Sequence, residues 1–152
     1  MISTKDNINA YGIGFVSVFI TSFLGSYFTK KSVKSEWYKS KRTNITPPSY
    51  VFPIAWTILY ILLGIVLGKS ILLQENIVTV LLFISLILHV TWCYLYFYKK
   101  DLKNAFTNIL LILGIGFIMA FLSKDITIIK LLIPYISWIT FASALNYDSL
   151  DK

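Results

Sequence analysis

Acidic residues are scarce in this sequence. The 152 residues include only seven Asp and Glu, and charged residues of both signs make up 14% of the chain, well below the roughly 25% usual in soluble domains. None of the seven carboxylates falls within the long apolar runs. Ion-coupled carriers commonly use an ionisable group inside the membrane, so their absence argues against that class. There is a single cysteine, Cys93, which excludes an intramolecular disulfide and any cysteine-based metal cluster. There is a single histidine, His89. No G-x-S-x-G, Walker A loop, H-E-x-x-H or pair of carboxylates occurs, which argues against hydrolase, nucleotidase and metalloprotease chemistry. Internal repeats, low-complexity tracts and a second domain are also lacking.

What the chain has in abundance is apolar sequence: 57% of residues are hydrophobic and the mean hydropathy is +0.72. Five runs are long enough to cross a bilayer as helices, which takes about 20 residues. They are Ile8–Phe28, Ser49–Gly68, Ile77–Tyr98, Ala105–Leu122 and Ile126–Asn146. The expected fold is an all-α membrane protein, a five-transmembrane-helix bundle forming one domain over 1–152. The runs argue against a β-barrel, because barrel strands are about ten residues of strict alternation and these runs are continuous and about twice that length. The first run is too long for a signal-peptide core and lacks a cleavage pattern, so it reads as a retained helix. Lys130, near the start of the fifth run, can snorkel to the interface. The gap at Ser123–Asp125 is so short that the fourth and fifth helices must be antiparallel neighbours, whereas Thr29–Pro48 is a long polar connection.

The net charge of +7 does not signal nucleic acid, because the basic residues lie in the gaps between apolar runs. Ten of them fall on one side of the expected bundle, in 30–42, 99–103 and at Lys152; four fall on the other, Lys5, Lys69, Lys124 and Lys130. The positive-inside rule then puts the N-terminus outside and the C-terminus in the cytoplasm, with a bacterial cell membrane as the expected location.

Aromatic residues carry the remaining pattern. In the second run Trp56 and Tyr60 are four apart and share a helix face. In the third, His89, Trp92, Cys93 and Tyr96 share one face, and in the fifth Trp138, Phe141, Ala142 and Leu145 do so. Such stripes pack helix against helix, form interfacial belts, or line a ligand pocket. Trp138 lies near the middle of its run, away from belt depth, where a buried indole N–H needs a partner. His89 suits a hydrogen bond to a neighbouring helix or backbone carbonyl, or ligation of haem iron. In the first run, Gly14, Ser17, Thr21 and Gly25 are spaced for close helix approach, within the chain or in a homodimer. At the C-terminus, 145–152 match L-x-Y-x₄-K, a short pattern proposed for cholesterol. Thr46 is placed to cap the second helix, with Pro47 or Pro48 at its first position and Pro53 bending its entrance.

In order along the chain stand Trp37-Tyr38, then Thr46-Pro47-Pro48, then Trp56-Thr57-Ile58-Leu59-Tyr60, then Trp92. Pro134-Tyr135-Ile136-Ser137-Trp138 follows, with Phe141-Ala142 and Leu145-Asn146 after it. This series resembles the TspO/MBR family, also called the translocator protein, tryptophan-rich sensory protein or peripheral benzodiazepine receptor family. The resemblance spans about Trp37 to Asn146. It implies a five-helix bundle with an apolar pocket near the first long loop. By position, that pocket takes Tyr38 and Pro47 from the loop and Trp56 and Tyr60 from the second helix. It takes His89, Trp92 and Tyr96 from the third, and Trp138, Phe141, Ala142 and Leu145 from the fifth. Three departures stand out: Ile45 replaces a loop tryptophan, His89-Val90-Thr91-Trp92-Cys93-Tyr94 replaces N-x-x-W-S-P, and Asn108 replaces an aspartate.

The resemblance implies binding of tetrapyrroles such as protoporphyrin IX or haem, of sterol or other lipid, and of benzodiazepine-like ligands, in sensing, sequestration or transport. The tetrapyrrole is expected as a ligand, with no cofactor or structural metal required; His89 is the candidate haem-iron ligand. The alternative is light-dependent porphyrin breakdown with Trp56 and Trp138 as the redox-active groups. A third reading is a structural dimer partner with no small ligand.

Overall fold

The computed structural model describes residues 3–152. Five long apolar helices cross the fold: α1 (Thr4–Thr29), α3 (Val51–Leu72), α4 (Asn76–Cys93, continued as a π-helical segment over Tyr94–Lys99), α5 (Leu102–Leu122) and α6 (Ile126–Asp148). A sixth, α2 (Glu36–Lys41), lies in the connection between the first two. Among the described residues there is no strand. The five expected spans are all present, and α5 and α6 are neighbours joined by a tight turn.

Local chemistry sets the helix starts. Ser3 caps α1 in a reciprocal pair with Asp6: its hydroxyl accepts the Asp6 N–H at 3.1 Å, and the Asp6 carboxylate accepts the Ser3 N–H at 3.2 Å. Asp101 and Asp125 cap α5 and α6 by accepting from the N–H groups of Asn104 and Ile128. Thr46 does not cap α3, contrary to expectation. Its hydroxyl accepts the Thr43 N–H at 2.8 Å and closes a turn within the loop, and α3 starts at Val51 with no side-chain cap. Pro53 is thus the third residue of α3, where the N–H has no helical acceptor, and it needs no bend.

The packing partners place the five long helices in the ring α1–α3–α6–α5–α4, closed by α4 against α1. The half of the bundle at the α3–α4 and α5–α6 turns is solid. Leu63, Leu67, Leu82, Ile112, Met119 and Leu132 fill it and are fully buried. Outward side chains such as Phe19, Phe23, Ile87 and Phe121 are exposed and apolar, as lipid-facing residues of an integral membrane protein must be. The small residues of α1 are used inside the chain. A Cβ on Gly14 would fall on the Gly64 carbonyl oxygen of α3, and a Cβ on Gly25 would sit 3.3 Å from Cys93 Sγ of α4. Ser17 and Thr21 return their hydroxyls to the α1 carbonyls of Ile13 and Ser17. The stripe therefore seats α1 on its own bundle.

The turns at the solid end are clamped together. Lys69 pairs with Asp125 at 3.3 Å, and Glu75 accepts the Lys124 N–H at 2.9 Å. Burial pushes the Asp125 carboxyl up. The Ile128 and Thr127 N–H groups and the Lys69 ammonium outweigh it and hold the group below its ordinary value. The fold thus favours the ionised form. Its contribution is complete above the ordinary carboxylate pKa of about 3.9 and is lost as pH falls through the lower folded-state value. Asp125→Asn keeps a capping side chain but removes the charge. We expect its melting temperature in detergent to fall less steeply than that of the wild type below about pH 4; parallel acid slopes in the two proteins would contradict this assignment.

Candidate functional site

Opposite the solid half, under the loop that carries α2, the bundle encloses a cavity of about 760 Å³. Gly14 and Gly64 bring α1 and α3 into contact near the solid half, and the cavity lies further along, between the C-terminal part of α1 and the start of α3. The π-helical segment at the end of α4 widens the turn. Trp92 and Cys93, and then Tyr96 and Phe97, all reach the cavity wall.

The aromatic wall is contiguous. Trp56 lies at centroid distances of 5.6 Å from Tyr60, 5.4 Å from His89 and 6.4 Å from Trp138, the last two edge to face, within the range of favourable aromatic pairs. Trp92 stands 5.3 Å from Tyr96 and donates its indole N–H to Asn146 Oδ1 at 3.0 Å. The Asn146 amide in turn donates to the Leu102 carbonyl. The Tyr96 hydroxyl donates to Ser149 Oγ at 3.1 Å, and Ser149 lies 3.1 Å from the Lys41 carbonyl at the end of α2. The Tyr96–Ser149–Lys41 chain ties α4 and the end of α6 to α2, the lid over the cavity. The Trp138 indole N–H is buried without a partner.

The roof is basic. Lys34, Lys39, Lys41 and Arg42 line the cavity where it meets the loop. Arg42 also donates to the Pro47 carbonyl at 3.2 Å, joining the two limbs of the loop. Tyr38 is the inward residue of α2. Burial pushes its phenol up, partly offset by Arg42, so it stays a neutral hydroxyl at neutral pH.

Nine of the eleven candidate positions line the cavity: Tyr38, Trp56, Tyr60, His89, Trp92, Tyr96, Trp138, Ala142 and Leu145. Pro47 and Phe141 do not. Pro47 acts one step away through Arg42, and Phe141 packs against the Trp138 ring at 5.5 Å. Sequence reasoning missed the α1 contribution of Ser22, Gly25, Ser26 and Thr29, together with Phe52, Thr57 and Phe97. The α1 hydroxyls carry no distinguishing pattern in sequence. Ile45 is half exposed and lies outside the cavity wall, as does the buried Asn108.

His89 sits against the wall with both ring nitrogens occupied. Nδ1 is 2.7 Å from the Ser85 carbonyl, an acceptor only, so Nδ1 carries the proton and donates. Nε2 is then the acceptor, and it faces the Tyr135 hydroxyl at 3.4 Å. The Nε2 lone pair is turned to the Tyr135 hydroxyl in this structure, and a haem iron would have to displace that long contact to reach it. One observation tests this arrangement, with haem added to the purified protein. The haem absorption spectrum should be the same in the wild type and in His89→Asn; a spectral change in the variant would show that the histidine reaches the iron.

Comparison with known proteins agrees with this architecture. Residues 13–150 match the TspO/MBR family. The tryptophan-rich protein TspO of Archaeoglobus fulgidus is 34% identical over 137 residues, covering 87% of this chain and 89% of that protein. The protein of the same name from Chlorobaculum tepidum is 32% identical over 138 residues, covering 85% and 86%. Protein CrtK of Rhodobacter capsulatus is 28% identical over 150 residues, covering 93% and 91%. With a five-helix membrane bundle, an aromatic cavity beneath the first long loop and a family match over nearly its whole length, the chain belongs to the TspO/MBR family.

Proposed function

We propose that this integral membrane protein binds a planar, apolar, acid-bearing ligand in the cavity, with tetrapyrroles such as protoporphyrin IX and haem as the best-fitting class, and acts in their sensing, sequestration or transport. The observation that carries this reading is the pairing of an aromatic wall with a cationic roof. Trp56, Tyr60, Trp92 and Trp138 offer ring faces and edges to a flat conjugated ligand, and Lys34, Lys39, Lys41 and Arg42 stand where its carboxylates would emerge. A volume of about 760 Å³ suits a small-molecule site. The unpartnered Trp138 N–H supplies a donor to an acceptor on the ligand. Sterols and benzodiazepine-like molecules fit the apolar wall but leave the cationic roof unused.

Removing the roof charges separates these ligand classes. In Lys34→Gln/Arg42→Gln, protoporphyrin IX affinity should fall about tenfold, the equivalent of about 1.4 kcal/mol for two partly exposed charge-assisted contacts. Wild-type affinity should also fall as salt is raised. Porphyrin fluorescence in detergent reads both. Equal affinity in wild type and variant at low salt would remove the acid-bearing ligand from the proposal. The contact between the Trp56 and Trp138 rings also favours a second reading, light-driven breakdown of the bound porphyrin through indole radicals. Loss of the Soret band under illumination, no faster than in empty micelles, would dismiss it.

A further inference from the structure

Behind the lid lies a second concave site, separate from the aromatic cavity. Consecutive residues of α2 serve the two: Tyr38 lines the cavity and Trp37 lines this outer groove. The opposite wall is the α4–α5 turn with Lys99, Lys100 and Lys103, and Lys41 stands at the boundary and lines both sites. We propose that this groove binds the phosphate of an anionic membrane phospholipid.

The first support is charge. The ion pairs among the described residues, Lys39–Glu36 and Lys69–Asp125, involve none of these four lysines. The groove also contains Asp101 and Asp151, yet Asp101 is committed elsewhere. Its carboxylate accepts from the Asn104 N–H at 3.1 Å and from the Asn104 amide at 2.7 Å. Lys41 donates to the main-chain oxygen of Lys152, and Lys99 lies over the Tyr94 ring at 5.8 Å. Lys100 stands over the Trp37 ring at 5.3 Å, and Lys103 is exposed. The groove therefore holds four lysines against two carboxylates, a net positive charge with no ion pair among the described residues to fix it.

The second support is backbone. Lys100 adopts φ 58°, ψ 28° where the Asp101 N–H reaches back to the Leu95 carbonyl at 2.9 Å. Glycine fills this left-handed position at less cost than a residue with a side chain. A lysine here places its ammonium on Trp37 at the floor of the groove.

The third support is depth. The groove is built from the ends of α4 and α5, where a membrane-spanning helix meets the headgroups. Exposed tyrosines mark the same end: Tyr98 precedes Lys99, Tyr27 is near the end of α1 and Tyr147 near the end of α6. Tyrosines at this depth are the usual interfacial anchors. Basic pockets between helix ends at this level hold lipid phosphates. A free phosphate would meet the same ammonium groups but would gain nothing from the adjoining acyl-chain surface.

The test uses the full chain in neutral detergent with native mass spectrometry, titrating dioleoyl-phosphatidylglycerol, dioleoyl-phosphatidylcholine and inorganic phosphate separately. Phosphatidylglycerol should bind saturably and in preference to phosphatidylcholine. Lys100→Gln/Lys103→Gln should bind it about 25-fold more weakly, from about fivefold for each lysine near a membrane surface. Lys100→Arg/Lys103→Arg should restore binding, and Lys5→Gln/Lys124→Gln, at the other end of the bundle, should leave it unchanged. The proposal is overturned if the glutamine variant binds as tightly as the wild type. It is equally overturned if phosphatidylcholine binds as well as phosphatidylglycerol, or if millimolar inorganic phosphate displaces the lipid.

Discussion

Gly14→Leu is expected to unseat α1 and lower stability at or beyond the roughly 3 kcal/mol that marks the upper end of overpacking costs. A Cβ at position 14 meets backbone on α3: the Gly64 carbonyl oxygen, with the Gly68 nitrogen at 3.0 Å and the Gly64 carbonyl carbon at 3.3 Å. Backbone in the middle of two helices cannot rotate away as a side chain can, so the helices must separate. Separation would also break the partner contacts, because a Cβ on Gly64 or Gly68 already meets Phe15 or Tyr11 of α1. Two other helix glycines provide an internal control. Nothing lies within 4 Å of a Cβ built on Gly12 or Gly114, so alanine there should be neutral or stabilising by up to about 1 kcal/mol. Thermal unfolding and size-exclusion behaviour in one detergent would compare the three. A Gly14→Leu protein that melts within a few degrees of wild type would show that α1 is not held by this contact.

This glycine contact also shows how much of the fold was legible in sequence. Run length and hydropathy marked five membrane-crossing helices, because each span must satisfy its own backbone in lipid. Periodicity placed Trp56 with Tyr60, and Trp92 with Tyr96, on shared faces, and those faces do converge on one cavity. Small residues at Gly14 and Gly25 announced close approach, but the pattern serves intramolecular and intermolecular contacts alike. Only the position of Gly64 opposite Gly14 decides between them. The lid helix α2 was not legible. Six residues are too few to show a hydrophobic period, and its cap is a single Ser35 hydroxyl accepting from Tyr38 N–H at 3.2 Å. The π-helical widening after Cys93 was not legible either, since its hydrogen-bond shift leaves the apolar pattern almost unchanged. His89 shows the same limit at a single residue. Its place on a cavity-facing stripe and a bond to a backbone carbonyl were readable, and the Ser85 carbonyl one turn earlier supplies that bond, but the Tyr135 hydroxyl of α6 that faces Nε2 comes from three-dimensional proximity.

Trp56→Ala should cost the protein most of its affinity for a flat ligand. Trp56 is the hub of the wall, touching Tyr60, His89 and Trp138. Truncating a central tryptophan in a desolvated site typically costs 2 kcal/mol or more, so protoporphyrin IX affinity should fall about 30-fold or more. Porphyrin absorbance is the right readout, because the substitution itself changes tryptophan fluorescence. Trp56→Phe keeps a ring in the wall and should recover most of the loss. Trp138→Phe keeps a ring but removes the unpartnered N–H. If that donor meets the ligand, affinity should drop about threefold to tenfold, the range of one ordinary hydrogen bond. Phe141→Leu, behind the wall, should change affinity by less than the Trp138 variant. The order Trp56→Ala, Trp138→Phe, Phe141→Leu is the signature of a ligand lying against this wall. A Trp56→Ala protein that remains folded and binds within twofold of wild type would place the porphyrin elsewhere on the molecule.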